Sequence, residues 1–435
     1  MHKKLEARIT NKKAVVGIMG LGYVGLPLAM GFANAGYSVI GFEKSREKAG
    51  KLKKGVSYID DVADAEIRSA AKNGRFRPTT DFDQIQKTDC IIVCVPTPLG
   101  KTREPDLSFI VAAVKTIAKH LKKGQLVVLE STTYPGTTEE NVRVILEKET
   151  GLKAGKDFFL GFSPERVDPG NRDFRITQIP KVVGGIDARS GRLIESLYSG
   201  VFEKVIPVSS AGAAEMVKLL ENTYRSVNIA LINEVAMICD TLKIDVWEVI
   251  RAASSKPFGF MPFYPGPGIG GHCISIDPMY LAWKVRLHGY EPRMIELAQT
   301  INDRMPDVVC ERASRILNGR GRPLKGSKIL LLGVAYKKNV SDTRESPALA
   351  VMARLVRSGA SVKYHDAHVP AIVVEGKKYR SAPFGSGLCA ASDLIMVLTD
   401  HERVDYGLVA ASKTPVLDTR NALRAQKQRK DLHRL

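Results

Sequence analysis

No apolar run in this 435-residue chain reaches the roughly 18 residues that a membrane helix needs, so no membrane span is expected. The opening Met1-His-Lys-Lys-Leu-Glu-Ala-Arg8 is charged and lacks the apolar segment and small-residue cleavage site of a secretory signal, which makes the cytoplasm the expected location. The six cysteines (90, 94, 239, 273, 310 and 389) form no CxxC pair. Neither a disulfide framework nor a zinc site is indicated, and no metal is expected. Cys90 and Cys94 fall in the apolar run Cys-Ile-Ile-Val-Cys-Val, where a thiol serves as a small buried hydrophobe. There is no tandem repeat and no long low-complexity tract. The formal charge of +19 comes without a helix-turn-helix, a zinc finger or an RNA-binding aromatic motif. It is read as a solvated basic surface that attracts phosphorylated ligands rather than nucleic acid.

What is present is an ordinary globular composition, 44% hydrophobic and 26% charged, on a chain long enough for two or three packed units. Lys13 to Ile18 is a short apolar run that ends at glycines, and Leu26 to Gly36 then carries helical spacing: strand, turn, helix. Further strand-like runs at Tyr37 to Phe42, Cys90 to Val95, Leu126 to Leu129, Phe158 to Phe162 and Lys181 to Gly184 alternate with helical patterns. The alternation predicts a parallel, doubly wound sheet. From Ala211 to Leu242 there is no proline and only Gly212, which predicts one or two long helices, with Asp245 to Ala253 as another. A second alternating unit has strands at Lys328 to Gly333, Ser361 to Tyr364 and Leu394 to Leu398 and a helix at Ala348 to Ser358. The expected fold is α/β: two Rossmann-like doubly wound domains joined by a long-helix central region, with boundaries at 1–208, 209–308 and 309–435. A modest basic cluster, Arg424 to Arg434, closes the chain.

Gly20-Leu-Gly-Tyr-Val-Gly25 follows the first strand and opens the first helix. In a dinucleotide fingerprint the first glycine allows the tight turn, the second lets a pyrophosphate approach the backbone, and the third lets helix pack on strand. Glu43, eighteen residues after Gly25 at the end of the second strand, fits a carboxylate that bonds ribose hydroxyls and repels a 2′-phosphate, favouring NAD over NADP despite Lys44 and Arg46 nearby. A second glycine run, Gly266-Pro-Gly-Ile-Gly-Gly-His-Cys-Ile-Ser-Ile-Asp277, presents the Cys273 thiol with a carboxylate four residues later. It looks like a nucleophile loop whose backbone is wrapped closely against a ligand. A thiol combined with a nicotinamide suggests an alcohol oxidised all the way to an acid.

These motifs resemble those of the UDP-sugar 6-dehydrogenases, nearly end to end and in family order. They are the fingerprint with Leu26-Pro27, Val95-Pro-Thr-Pro98, Ser131-Thr-Thr-Tyr-Pro135, Phe162-Ser-Pro-Glu165, Lys218-Leu-Leu-Glu-Asn222, Gly270-Gly-His-Cys273 to Asp277, and Lys337 to Ser346. The resemblance implies an NAD-binding N-terminal domain, a helical dimerising middle and a UDP-binding C-terminal domain, hence a homodimer or higher homo-oligomer. It also implies a double oxidation of C6 that consumes two NAD and one water. Cys273 would add to the aldehyde so that the thiohemiacetal can yield a second hydride and leave a thioester. A base or a water held by Asp277 and Lys218 would accept the first proton. Lys218 and Asn222 would stabilise oxyanions, Glu165 would activate the hydrolytic water, and Thr133 would orient that water or the nicotinamide. The implied NAD contacts are Gly20, Gly22, Tyr23, Val24, Gly25, Glu43, Thr97, Thr133 and Arg344. The implied substrate contacts are Glu165, Lys218, Asn222, Tyr264, Gly270 and Lys337.

Plainer readings stand beside these roles. Lys218 and Asn222 fit a solvated helix face, Glu165 a cap, Thr133 a turn, and Lys337 and Arg344 a salt-bridge cluster with Asp342 and Glu345. His272 fits either a base beside the thiol or a loop residue that shapes the sugar pocket. UDP-glucose dehydrogenases have serine before the nucleophile and lysine before the aspartate; His272 and Ile276 stand there in this chain. Both departures, with Lys256 to Gly268, resemble the branch that oxidises UDP-N-acetylhexosamines, most closely UDP-N-acetylglucosamine. UDP-N-acetylmannosamine and UDP-glucose are the alternatives. The arginine that many family members extend to the sugar of a neighbouring subunit has no obvious counterpart, and Lys256 is its candidate substitute.

Overall fold

The computed structural model describes residues 1–59, 61–100, 104–166, 175–426 and 429–435, without the side chains of His272 and Cys273. It divides into two compact units, Met1–Glu221 with Met279–Gly289, and Asn222–Pro278 with Tyr290–Leu435.

The first unit is built on strands β1 (Val15–Met19), β2 (Ser38–Phe42), β3 (Phe76–Thr79), β4 (Cys90–Val93), β5 (Leu126–Leu129), β6 (Phe159–Phe162), β7 (Lys181–Gly185) and β8 (Val205–Val208). They lie in the order β3-β2-β1-β4-β5-β6-β7-β8. β1 to β6 run parallel; β7 pairs antiparallel with β6, and β8 follows β7. Register places Val16 opposite Val39 on one side and Cys90 on the other. β4, β5 and β6 are buried along their whole length, because an apolar cluster covers each face of the sheet. The edge strands were not legible in the sequence. β3 (Phe-Arg-Pro-Thr) and β8 (Val-Ile-Pro-Val) are short and carry proline, which only an edge tolerates. The helix after β1, Gly25–Asn34, is followed by Gly36 at φ +99°, a left-handed residue that turns the chain into β2.

A single helix, Ala211–Leu242, runs for 32 residues, as the absence of proline allows. The next helix, Val246–Ala253, is capped by Asp245, whose carboxylate accepts from Trp247 N at 2.9 Å. The second unit holds β9 (Lys328–Leu332), β10 (Ser361–His365), β11 (Ala371–Val374), β12 (Lys377–Arg380), β13 (Leu394–Val397), β14 (Val416–Asp418) and β15 (Leu432–Arg434). The main sheet is all parallel in the order β10-β9-β13-β14-β15, and β11 and β12 form a separate antiparallel hairpin. The basic cluster at the end of the chain is thus partly a strand: Leu432–Arg434 pairs with β14. No helix among the described residues is long and apolar enough to cross a membrane.

Each sheet reverses its winding beside its first strand, between β1 and β4 in one unit and between β9 and β13 in the other. Open α/β sheets bind ligands beyond the carboxyl ends of the strands at such points. Both points are closed alike. A Cβ on Gly20, after β1, would stand 2.6 Å from Cys94 O after β4, and one on Gly333, after β9, would stand 2.3 Å from Thr399 O after β13. Both glycines also have positive φ, +92° and +80°. The second unit therefore keeps the first-glycine turn without the rest of the fingerprint.

Candidate active site

In the first unit the three fingerprint glycines are used differently. Gly20 needs its positive φ and its lack of a side chain, and a Cβ on Gly25 would lie 1.9 Å from Gly20 O. Nothing lies within 4 Å of a Cβ on Gly22. The protein itself gives no reason for the middle glycine, which leaves backbone open to a diphosphate at the start of the Gly25–Asn34 helix. Glu43 Oε2 accepts from Leu21 N at 3.3 Å, and Oε1 accepts from Ser45 N at 2.9 Å, so its carboxylate stands against the same turn. Tyr23 is exposed. These residues fit NAD.

Thr97 and Thr133 are buried polar residues in the loops after β4 and β5. The Tyr280 hydroxyl donates to Thr97 O, and Thr133 Oγ1 lies 2.6 Å from Thr137 Oγ1. The Thr133 loop is tied to the long helix by Glu215, a buried carboxylate that accepts from Gly136 N (2.6 Å), Thr138 N (2.9 Å) and Thr138 Oγ1 (2.7 Å). Burial pushes its carboxyl up to about 7, against the lowering effect of those hydrogen bonds.

Glu165, after β6, is a buried carboxylate rather than a surface cap. Its Oε1 accepts from Arg166 N at 2.7 Å and its Oε2 from Lys181 Nζ at 3.2 Å. Lys181 also donates to Glu130 Oε2 at 3.0 Å, and the Tyr198 hydroxyl donates to Glu130 Oε1. Burial opposes the Lys181 ammonium, but the two carboxylates outweigh it and raise its pKa. The rings of Tyr198 and Phe202 lie 5.4 and 5.3 Å from the ammonium. Lys218, on the long helix, is buried and forms no ion pair with a described residue, which does not suit a solvated face.

In the second unit the glycine run is loop only as far as Gly271, and a helix, His272–Arg286, begins there. Cys273 is therefore in a first helical turn rather than in the loop, one turn before Asp277; its side chain and that of His272 lie outside the described residues. Pro278 hid this helix from sequence reading, since a proline inside a helix removes an amide and disfavours the pattern. Asp277 and Asn222 are brought together: the buried Asn222 amide donates to Asp277 Oδ2 and its oxygen accepts from Arg225.

The close approach that the glycine run permits is to the protein itself. A Cβ on Gly270 would stand 2.7 Å from Tyr336 Cβ and 2.8 Å from Pro347 Cδ, and one on Gly268 3.1 Å from Pro347 Cβ. Gly271 N donates to Arg344 O at 3.1 Å. At its other end the run is held by Asn233, wholly buried, which accepts from Gly266 N (3.0 Å) and donates to Asn302 Oδ1 (3.0 Å). Tyr264 is exposed and its ring stacks on that of Trp247, with centroids 6.1 Å apart.

Lys337 is half-buried in the loop after β9, at the switch point of the second sheet. That loop is anchored by His401 and Asp366. His401 Nδ1 accepts from Asn339 N at 2.9 Å, so its proton is on Nε2, 3.0 Å from Asp366 Oδ2. Arg344 is exposed, and its guanidinium is chelated by Asp342 at 2.7 to 3.1 Å, the ion pair that the spacing also allowed. Arg420, after β14, carries no motif in the sequence. Its Nε donates to Leu398 O at 3.0 Å, a Cβ on Gly266 would meet its Nη1 at 2.5 Å, and it forms no ion pair with a described residue. It leaves a positive charge at the carboxyl end of the second sheet; the signal for it was a lone Arg after a three-residue strand.

Three models of one family match the chain: the NAD binding domain of the UDP-glucose/GDP-mannose dehydrogenase family at residues 14–202, its central domain at 212–304 and its UDP binding domain at 330–425. The chain is 37% identical over 391 residues to a UDP-N-acetyl-D-glucosamine 6-dehydrogenase of Pseudomonas aeruginosa, covering 90% of this chain and 91% of that one. It is 35% identical over 389 residues to a UDP-N-acetyl-D-mannosamine dehydrogenase of Methanococcus maripaludis, covering 88% and 86%. Its fold matches that of a solved UDP-D-ManNAc dehydrogenase from Pyrococcus horikoshii with a TM-score of 0.88 and 31% identity over 97% of this chain and 98% of that one. The chain belongs to the UDP-glucose/GDP-mannose dehydrogenase family and carries its NAD-binding, central and UDP-binding domains.

Proposed function

We propose that this family member oxidises C6 of UDP-N-acetylglucosamine in two steps to UDP-N-acetylglucosaminuronic acid, a precursor for surface polysaccharide, through a thiohemiacetal and a thioester on Cys273. The observation that carries the reading is the buried Asn222–Asp277 pair, one helical turn along from Cys273. The fingerprint turn with Glu43, Thr97 and Thr133 would hold NAD, which would supply the hydride acceptor for each oxidation; Arg344 is assigned to it on the resemblance alone. Asp277 takes the proton of the C6 hydroxyl, and Asn222 keeps that carboxylate aimed. The Cys273 thiolate adds to the aldehyde carbon, and Lys218 balances the oxyanion that forms. Glu165 takes a proton from the water that cleaves the thioester and restores the thiol. The sum is one alcohol, one water and two NAD to one carboxylate, two NADH and three protons. Lys337 and Arg420 supply positive charge for the UDP diphosphate, and the Gly270 backbone and Tyr264 are sugar contacts.

The sugar is assigned from His272 and Ile276, where UDP-glucose enzymes carry serine and lysine, and from the Pseudomonas relative. The Methanococcus and Pyrococcus relatives support a second reading, UDP-N-acetylmannosamine. Initial rates with UDP-N-acetylglucosamine, UDP-N-acetylmannosamine and UDP-glucose test it. The first is expected to have the highest kcat/KM by at least about tenfold, and a higher value for either other sugar overturns the sugar assignment.

A dimer through the central region, expected at 209–308, is supported by apolar residues at helical spacing. Tyr224, Leu231, Ile238 and Leu242 on the long helix are all exposed, as are Met294 and Leu297 on the Arg293–Asn318 helix. The cytoplasm is supported by Cys90, Cys94, Cys239, Cys310 and Cys389, all of them free.

A further inference from the structure

Lys181 and Glu130 form a buried ion pair beside the first sheet, and such a pair is weak evidence of a stabilising role. Burying charged groups costs more than their mutual attraction returns unless every lone pair is satisfied, and apolar residues of the same size serve a core as well or better. Here an ammonium and two carboxylates are buried side by side at the ends of β5, β6 and β7, and one of the carboxylates is Glu165. The exposure of the three side chains is graded: none for Glu130, 3% for Lys181 and 9% for Glu165. Glu130 is the inner carboxylate, satisfied by Lys181 Nζ and by the Tyr198 hydroxyl. Glu165 is the outer one. With one ammonium between two carboxylates, the trio carries one surplus negative charge.

We propose that Lys181 and Glu130 are positioning residues for Glu165: the Lys181 ammonium aims the Glu165 carboxylate, and Glu130 cancels the ammonium's charge so that Glu165 keeps the basicity to take a proton from water. A lysine alone would hold Glu165 in place but drain it, since an opposite charge within about 4 to 6 Å lowers a carboxylate's pKa by one to three units. The other groups around the trio leave that balance in place among the described residues. The Arg166 guanidinium is engaged by Glu221 (2.5 and 3.2 Å) and Pro180 O (2.6 Å). Burial keeps the Cys94 thiol and the Tyr198 phenol protonated. The inference rests on Glu165 as the water-activating base.

The test is the acid limb of the kcat–pH profile with UDP-N-acetylglucosamine and NAD. Glu165→Gln is expected to abolish the limb; if the limb persists, the reading of Glu165 fails. Given that loss, Lys181→Met removes the cation and is expected to move the limb up by about one pH unit or more. Glu130→Gln removes the cancelling anion and is expected to move it down. A mere structural lesion would lower the rate without moving the limb in opposite directions. The double variant Lys181→Met/Glu130→Gln removes one cation and one anion together, keeps the net charge beside Glu165, and is expected to return the limb to within about half a unit of wild type. Shifts in the same direction, an unmoved limb, or a double variant displaced as far as Lys181→Met overturns the inference.

Discussion

Gly22→Ala and Gly25→Ala are the same chemical change three residues apart, and the structure gives them opposite consequences. A Cβ on Gly25 would stand 1.9 Å from Gly20 O, 3.1 Å from that carbonyl carbon and 3.2 Å from Cys94 Cβ. The nearest obstacle is backbone in the turn that closes the β1–β4 switch point, so no flexible side chain can give way. Overpacking of this kind costs about 1–3 kcal/mol and occasionally more. At Gly22 a methyl meets nothing within 4 Å and φ is not positive, so folding is expected to change by less than about 0.5 kcal/mol. The same methyl would fill the space through which a diphosphate reaches the backbone. NAD affinity should fall at least about tenfold, equivalent to about 1.4 kcal/mol, while UDP affinity stays unchanged. Urea unfolding and calorimetric titration of both ligands would measure this. Gly22→Ala binding NAD like wild type, or losing as much stability as Gly25→Ala, would refute the reasoning.

Asn222→Ala leaves the buried Asp277 carboxylate without the amide that aims it. A hydrogen bond to a charged group contributes about 1.5–3 kcal/mol, so kcat/KM for the UDP sugar should fall roughly 10- to 150-fold with NAD affinity unchanged; steady-state kinetics and NAD titration check it. Asp366 accepts from Val334 N (2.7 Å), Ala335 N (3.1 Å), His368 N (2.8 Å) and Val369 N (3.1 Å) as well as from His401. Burial works to raise its carboxyl, but these bonds outweigh it and bring it from 3.8 down to about 2. A lowered folded pKa gives stability that is present above the unfolded value and is lost as pH falls through the folded one. The Asp366 contribution, roughly 2 kcal/mol, should therefore disappear between about pH 4 and pH 2. In Asp366→Asn, pH-dependent unfolding of the second unit should lack that step.

The sequence displayed whatever was long, apolar and regular. β1, β4 and β5 are runs of buried residues next to clear turn signals, and the 32-residue helix carries no proline. Edge strands were hidden because pairing on one side lets them carry Arg77, Pro78 and Pro207. β15 was hidden in a charged tail. At the site, glycine spacing exposed the fingerprint turn, since only a bare backbone fits there. Gly268 and Gly270 also need a bare backbone, and the atoms that crowd them belong to Tyr336 and Pro347. Lys181, Glu130 and Asn233 escaped notice because a buried polar residue is recognised by its partners, and theirs lie from 16 to 69 positions away in the chain.

The most direct test of the double oxidation is the number of NADH formed per UDP-N-acetylglucosamine consumed, for the wild-type protein and for Cys273→Ser. Two NADH per sugar in the wild type, with complete turnover lost in Cys273→Ser, is the predicted result. One NADH per sugar, with a fully active Cys273→Ser, would contradict the covalent mechanism.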